Sequence, residues 1–179
     1  AQYMNIDRKT AKNLNLGMMY VMGYPTLSGH LRVDIDEAKY MSQRWHRTFP
    51  MVSSFTRQAS KRAEQRGYVR TILGRRARFP DPRWAYRAAN RIVQGGSADI
   101  LKYKMVELDE WLSSESLHPY CQMLLNIHDS ILFQIHKDYM YLIKDIERIM
   151  CDLSGEPFNL SVPFQTDYKK GNTWAEASY

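Results

Sequence analysis

Four side chains near the start of the chain recur at every fourth position: Arg8, Lys12, Leu16 and Tyr20. On an α-helix that spacing sets them in one slowly winding stripe. Two cations begin the stripe and an aromatic ring ends it, a surface suited to gripping a polyphosphate and facing a flat base. The same pattern fits a plain amphipathic helix whose Arg and Lys stems lie along apolar surface. A second candidate is the carboxylate of His128-Asp129-Ser130, which sits between two apolar runs. If residues 123 to 135 formed one continuous strand, Asp129 would share a face with Leu125, Ile127, Ile131 and Phe133. A lone carboxylate there is costly unless it is paired or bound to metal. If the chain turns at His128-Asp129, the acid rises to a hairpin tip, where turn chemistry alone also favours Asp.

Asn90 and Gln94 stand four apart, so both amides share one helical face. Each donates and accepts, which suits minor-groove base edges, where every pair presents acceptors. The small residues Gly95, Gly96, Ser97 and Ala98 would let a duplex come close, although a polar helix face explains the pair equally simply. A basic cluster, Arg70 with Gly74-Arg75-Arg76-Ala77-Arg78, places Arg75 and Arg76 where they could contact backbone phosphates. A solvated charge run is the competing explanation.

The elements that must hold these groups follow from composition and punctuation. At 179 residues, 44% hydrophobic and 25% charged, the chain is long enough for one globular domain or two small ones. A net charge of +6 favours an anionic partner without specifying nucleic acid. No apolar run has the length of a membrane span and no charged-then-apolar leader opens the chain, so no membrane partner and a cytoplasmic location are expected. Cys121 and Cys151 are isolated and lack zinc spacing, which argues against disulfides and a structural metal.

A helix is expected from residue 8 to about 22, stopped by Gly23 and Pro25. Asp34 or Asp36 caps a second, running to about Thr48, and Pro50 opens a third that Gly67 ends. Residues 68 to 79 read as a small hairpin. A long helix follows from about Trp84 to Leu112, interrupted or bent near Gly95-Gly96, whose weak helix propensity calls for a reason such as close approach of another backbone. Short strands are expected at Gln122 to Ile127, Ile131 to Ile135 and Asn159 to Phe164, with a helix over 137 to 152 and an ordered end through Trp174 to Tyr179. Helices with a minor antiparallel sheet make the class α+β.

Together these segments resemble the C-terminal part of family A DNA polymerases, the bacterial polymerase I type, with phage enzymes closest in flavour. Arg8, Lys12 and Tyr20 match the family's motif B on the fingers helix, and His128-Asp129 match motif C on the palm hairpin. Gly67-Tyr68-Val69, Leu73-Gly74-Arg75-Arg76 and Asn90 to Asp99 resemble the stretches between, and Asn172-Thr173-Trp174 the family's ending. The resemblance implies that Arg8 and Lys12 bind the triphosphate of an incoming dNTP, with Lys12 near the leaving pyrophosphate as a proton donor. Tyr20 would stack at the template side, Asn90 and Gln94 would touch the minor groove of primer–template DNA, and His128 would meet the primer terminus. Asp129 would ligate Mg²⁺ in a two-metal site.

Three residues depart from the family pattern. Leu16 stands in place of the usual Phe or Tyr near the nucleotide sugar, Val21 in place of a Gly, and Ser130 in place of a Glu. Val21 is expected to stiffen the helix, and the neutral hydroxyl of Ser130 to hydrogen-bond nearby. His-Asp-Ser also resembles motif C of single-subunit phage RNA polymerases, which keeps an RNA polymerase as an alternative. The family's other metal-binding Asp, motif A, precedes motif B by a few dozen residues, whereas this chain begins seven residues before Arg8. The expectation is therefore fingers helices and a basic hairpin over residues 1–85, then a long helix and palm hairpin over 86–179. A second polypeptide, or a missing segment, would carry motif A, the thumb and any exonuclease. A viral source would put the protein in the host-cell cytoplasm. The rival expectation is a non-catalytic nucleic-acid-binding subunit.

Overall fold

The computed structural model describes residues 6–177. The chain divides into two compact units, Ala1–Gly96 and Ser97–Tyr179. Mostly helical, with two small antiparallel sheets, it has the expected α+β class.

In the first unit, helix α1 spans Arg8–Met19 and is started by Asp7, whose carboxylate accepts from the backbone N–H groups of Lys9 and Thr10. A hydrogen bond from the Thr10 side chain, with these backbone bonds, favours the ionised form and holds the Asp7 carboxyl below its ordinary range. The helix stops sooner than expected. Tyr20 caps it and Val21 takes a φ of 53°, a left-handed conformation that L residues with a branched β-carbon avoid. Val21 therefore does not stiffen the helix; it lies beyond it. The glycine usual at this position in the family would adopt that backbone without strain.

Helix α2, Tyr24–Leu31, was not expected, because Pro25 reads as a breaker. Proline is tolerated in a first helical turn, where its missing N–H would be unsatisfied anyway. Helix α3, Ile35–Thr48, is capped by Asp34, and α4, Pro50–Arg66, ends on Gly67 at a φ of 70°. Leu14, Leu27, Leu31, Ala38 and Trp45 bury a common core among α1, α2 and α3. Gly17 permits that packing: a Cβ there would stand 2.7 Å from Leu27 Cδ1.

Strands β1, Tyr68–Arg70, and β2, Arg76–Arg78, pair antiparallel with Val69 opposite Ala77. A 3₁₀ turn over Pro82–Arg87 then leads into helix α5, Ala88–Ser114. The α-helix thus starts later than Trp84, and it runs unbroken through Gly95 and Gly96. Small side chains (Ala59, Ala63, Ala85, Ala88 and Ala89) let α4, the hairpin and the start of α5 close around Val69 and Phe79.

In the second unit, strands β3, Cys121–Ile127, and β4, Ser130–Ile135, form an antiparallel hairpin. Helix α6 spans Leu142–Cys151, later than the expected start at 137, because Lys137–Tyr139 makes a 3₁₀ turn. Leu108, Leu112, Cys121, Leu142, Ile146 and Ile149 bury the shared core of α5, the hairpin and α6. The strand expected over 159–164 does not form. Asn159 adopts a φ of 49°, which breaks an extended run, and Phe158 packs with Ile100 and Leu153 instead. Helix α7 covers Trp174–Ala177; Tyr179 lies outside the described residues.

Candidate functional site

Helix α1 is strictly two-sided. Ala11, Leu14 and Gly17 are buried, while Arg8, Lys12, Leu16 and the cap residue Tyr20 are exposed. The expected stripe therefore exists as a solvent-facing surface with two cations at the amino-terminal end, where the helix dipole adds to their field. Several elements brace this helix from behind. Trp45 Nε1 of α3 donates to Asn15 Oδ1 at 2.7 Å, and Leu27 of α2 fills the space beside Gly17.

The far end of the stripe meets α5. Gln94 Nε2 donates to the Tyr20 hydroxyl at 2.7 Å. The amide expected to read a minor groove thus touches the ring expected to face a template base, across 74 residues of sequence. Asn90, one turn earlier, is half-buried and Gln94 is exposed. The two glycines after Gln94 serve a different purpose from the one expected. A Cβ on Gly95 would lie 2.7 Å from Thr71 Cγ2 and 3.3 Å from Arg75 Nη2, and one on Gly96 would lie 3.6 Å from Ile72 Cγ2. They admit the β1–β2 hairpin, so this face of α5 is covered by the chain itself and not left open for a duplex.

The two candidate hairpin cations differ. Arg75 Nη2 donates to the Gly95 carbonyl at 3.0 Å. Arg76 is exposed, with its guanidinium carbon 4.9 Å from the centre of the Tyr68 ring, a cation–π arrangement.

At the other constellation the chain turns, which resolves the two alternatives for Asp129. Ile127 pairs with Ser130, leaving His128 and Asp129 as a two-residue loop, both exposed. His128 takes a φ of 57°, a conformation that His tolerates better than most residues. Ser130 Oγ donates to the Ile127 carbonyl at 3.0 Å and Asn126 Nδ2 to the Ser130 carbonyl at 3.3 Å. Ser130, in place of the family's Glu, thus spends its hydroxyl closing its own turn. A bulge between Met123 and Leu125 leaves Leu124 46% and Leu125 47% exposed. Met123, Ile131, Phe133 and Ile135 pack on the core of the second unit.

Among the described residues no three His, Cys, Asp or Glu side chains cluster as a metal cage requires. Asp129 brings one carboxylate, and a divalent cation needs more anionic oxygen than that. The donors within these residues do not by themselves fit the expected Mg²⁺ pair. Sequence reasoning missed the buried Thr71 and the buried Lys104, whose ammonium pairs with Glu107 at 2.8 Å. The i,i+3 spacing of Lys104 and Glu107 is visible in sequence, whereas nothing local marks Thr71.

The chain is 32% identical over 180 aligned positions to DNA polymerase I of Streptococcus pneumoniae, covering 96% of this chain and 20% of that protein. It is 30% identical to the thermostable DNA polymerase I of Thermus filiformis, covering 95% and 21%. The chain thus spans about a fifth of the length of these relatives. A solved structure, the polymerase domain of Pol1 from M. smegmatis in complex with DNA primer-template and dNTP, superposes with a TM-score of 0.81 at 27% identity, covering 96% of this chain and 31% of that one. These relatives are bacterial, and the phage-type subclass finds no support among them. Residues 1–176 match DNA polymerase family A, and the chain belongs to that family.

Proposed function

We propose that these residues form the fingers, over 1–85, and part of the palm, over 86–179, of a template-directed DNA polymerase. Such an enzyme adds deoxynucleotides to a primer 3′ end. The observation that carries this reading is the two-sidedness of α1: its packed face fixes the helix, and its free face offers Arg8, Lys12, Leu16 and Tyr20 in order. Arg8 and Lys12 hold the triphosphate, and preplaced cations favour the charge that builds on the transferring phosphoryl and the leaving pyrophosphate. Lys12 also donates a proton to that leaving group. Tyr20 stacks beside the template base, Asn90 and Gln94 contact the minor groove near the primer end, and Arg76 meets a backbone phosphate. His128 contacts the primer terminus.

Asp129 contributes one metal-binding carboxylate, and the second comes from outside these 179 residues. The relatives are about five times longer, which favours a segment of one longer chain over a second polypeptide. The exposed Leu124 and Leu125, on a sheet of two strands, fit a surface that such a segment covers. Leu16, where the family usually has a ring, bears on sugar selection.

Substituting Asp129→Ala in the polymerase that carries this region tests the reading. Nucleotide addition falls to background while primer–template affinity persists. Retained addition would favour the rival, a non-catalytic DNA-binding relic, to which the self-satisfied Ser130 gives some support.

A further inference from the structure

The β1–β2 turn grips the backbone of α5 at the residue next to Gln94. Arg75 Nη2 donates to the Gly95 carbonyl at 3.0 Å, and Thr71, 6% exposed, fills the space a Gly95 side chain would need. The turn that makes the grip is closed by its own hydrogen bonds. Thr71 N–H donates to the Arg75 carbonyl at 2.9 Å, Arg75 N–H to Thr71 Oγ1 at 3.1 Å, and Arg70 Nη1 to the Gly74 carbonyl at 2.9 Å. Gly74 takes a φ of 80°, which lets the turn close. One residue before the gripped carbonyl, the Gln94 amide meets the Tyr20 hydroxyl.

We propose that Arg75 is a positioning residue: together with Thr71 it clamps the α5 backbone at Gly95 and so fixes where the Gln94 amide stands. This rests on the polymerase reading above and replaces the phosphate contact expected of Arg75 from sequence. A guanidinium suits the task because its rigid fork loses little freedom on bonding a fixed carbonyl. Small displacements of a group that orients the primer end carry large kinetic penalties.

The test compares wild type with Arg75→Gln in the polymerase that carries this region. Three quantities are read: the salt dependence of primer–template binding, kcat/KM for nucleotide addition, and the penalty when the primer ends in 3-deazaadenine. That base lacks the minor-groove N3 acceptor. A positioning role predicts an unchanged salt slope, a kcat/KM lower by about tenfold, and a 3-deazaadenine penalty that shrinks toward none. A phosphate contact would instead reduce the salt slope by about 1 and leave the penalty intact, and this result overturns the proposal. A wild type with no 3-deazaadenine penalty also overturns it, because Gln94 would then read nothing. A wild type that neither binds primer–template nor adds nucleotides refutes the polymerase reading itself.

Gly95→Ala provides a route that leaves Arg75 in place, and decides the matter if Arg75→Gln fails to fold. Its new methyl displaces Thr71, so it reproduces the kinetic loss, and adding Thr71→Ser, which removes Cγ2 and keeps the hydroxyl, restores activity. Absence of that rescue counts against the clamp. Gly96→Ala, whose methyl finds ordinary contact with Ile72, serves as the matched control with unchanged kinetics.

Discussion

The first helix and the tip of the β3–β4 hairpin carry the two halves of the proposed chemistry, and they are built in opposite ways. Helix α1 is braced by its neighbours: Leu27 fills the space beside Gly17, Trp45 bonds Asn15, and Gln94 bonds Tyr20 at its end. The hairpin tip is braced by itself. The bonds at its turn run from Ser130 to Ile127 and from Asn126 to Ser130, all within the hairpin, and Leu124 and Leu125 behind it are exposed. On the proposed reading, the cations that meet a triphosphate stand on a helix held in place by tertiary contacts. On the same reading, the carboxylate proposed to bind metal sits on a local, self-closing turn.

The contrast can be broken most severely at the cations. Lys12→Ala or Arg8→Ala should lower kcat/KM for nucleotide addition by about a hundredfold, the scale on which single charge-stabilising donors act. Thermal melting should barely move, because exposed side chains contribute little to stability. Parallel losses in melting temperature would make the face structural and erase the distinction. Next is the bracing itself. Trp45→Phe removes the bond to Asn15 and leaves a gap in the core, at a cost of about 2 kcal/mol by equilibrium denaturation. Ser130→Ala at the exposed tip should cost less, about 0.5 kcal/mol. Equal costs would mean that the tip is as firmly supported as the helix.

A smaller effect should come from Val21→Gly, which relieves the left-handed strain and stabilises by about 1 kcal/mol, less the extra freedom that glycine brings to the unfolded chain. The smallest effect concerns the Asp7 cap. Its folded pKa lies below its unfolded value, so its stabilisation is complete above the ordinary carboxylate range and fades as pH falls through the lowered value. Asp7→Asn keeps a capping oxygen and should flatten the pH dependence of melting in that acid window. Asp81 and Asp152, also lowered by nearby hydrogen bonds, supply the slope that remains.

Local signals made most of the fold legible. Asp34, Pro50 and Gly67 mark helix ends by capping and backbone preference, and the β3–β4 hairpin follows from two apolar runs around a turn. Failures came where one residue has two meanings. Pro25 can stop a helix or open one, and only the packing of Leu27 and Leu31 decides for opening. The 159–164 segment is apolar enough for a strand, yet a sheet needs a partner, and Asn159 turns the chain away. At the site, the α1 stripe was readable because helical periodicity is local. The partnerships of Gln94 with Tyr20 and of Thr71 with Gly95 join residues distant in sequence, and no spacing rule reaches that far. The paired glycines signal a close neighbour; which neighbour is a matter of tertiary contact.

The turn at Val21 has a consequence for how the stripe moves. A branched residue has far less room in the left-handed region than glycine, so the link just beyond Tyr20 has a narrower backbone range than a glycine there would allow. Val21→Gly would widen that range at the residue that follows the ring bonded to Gln94.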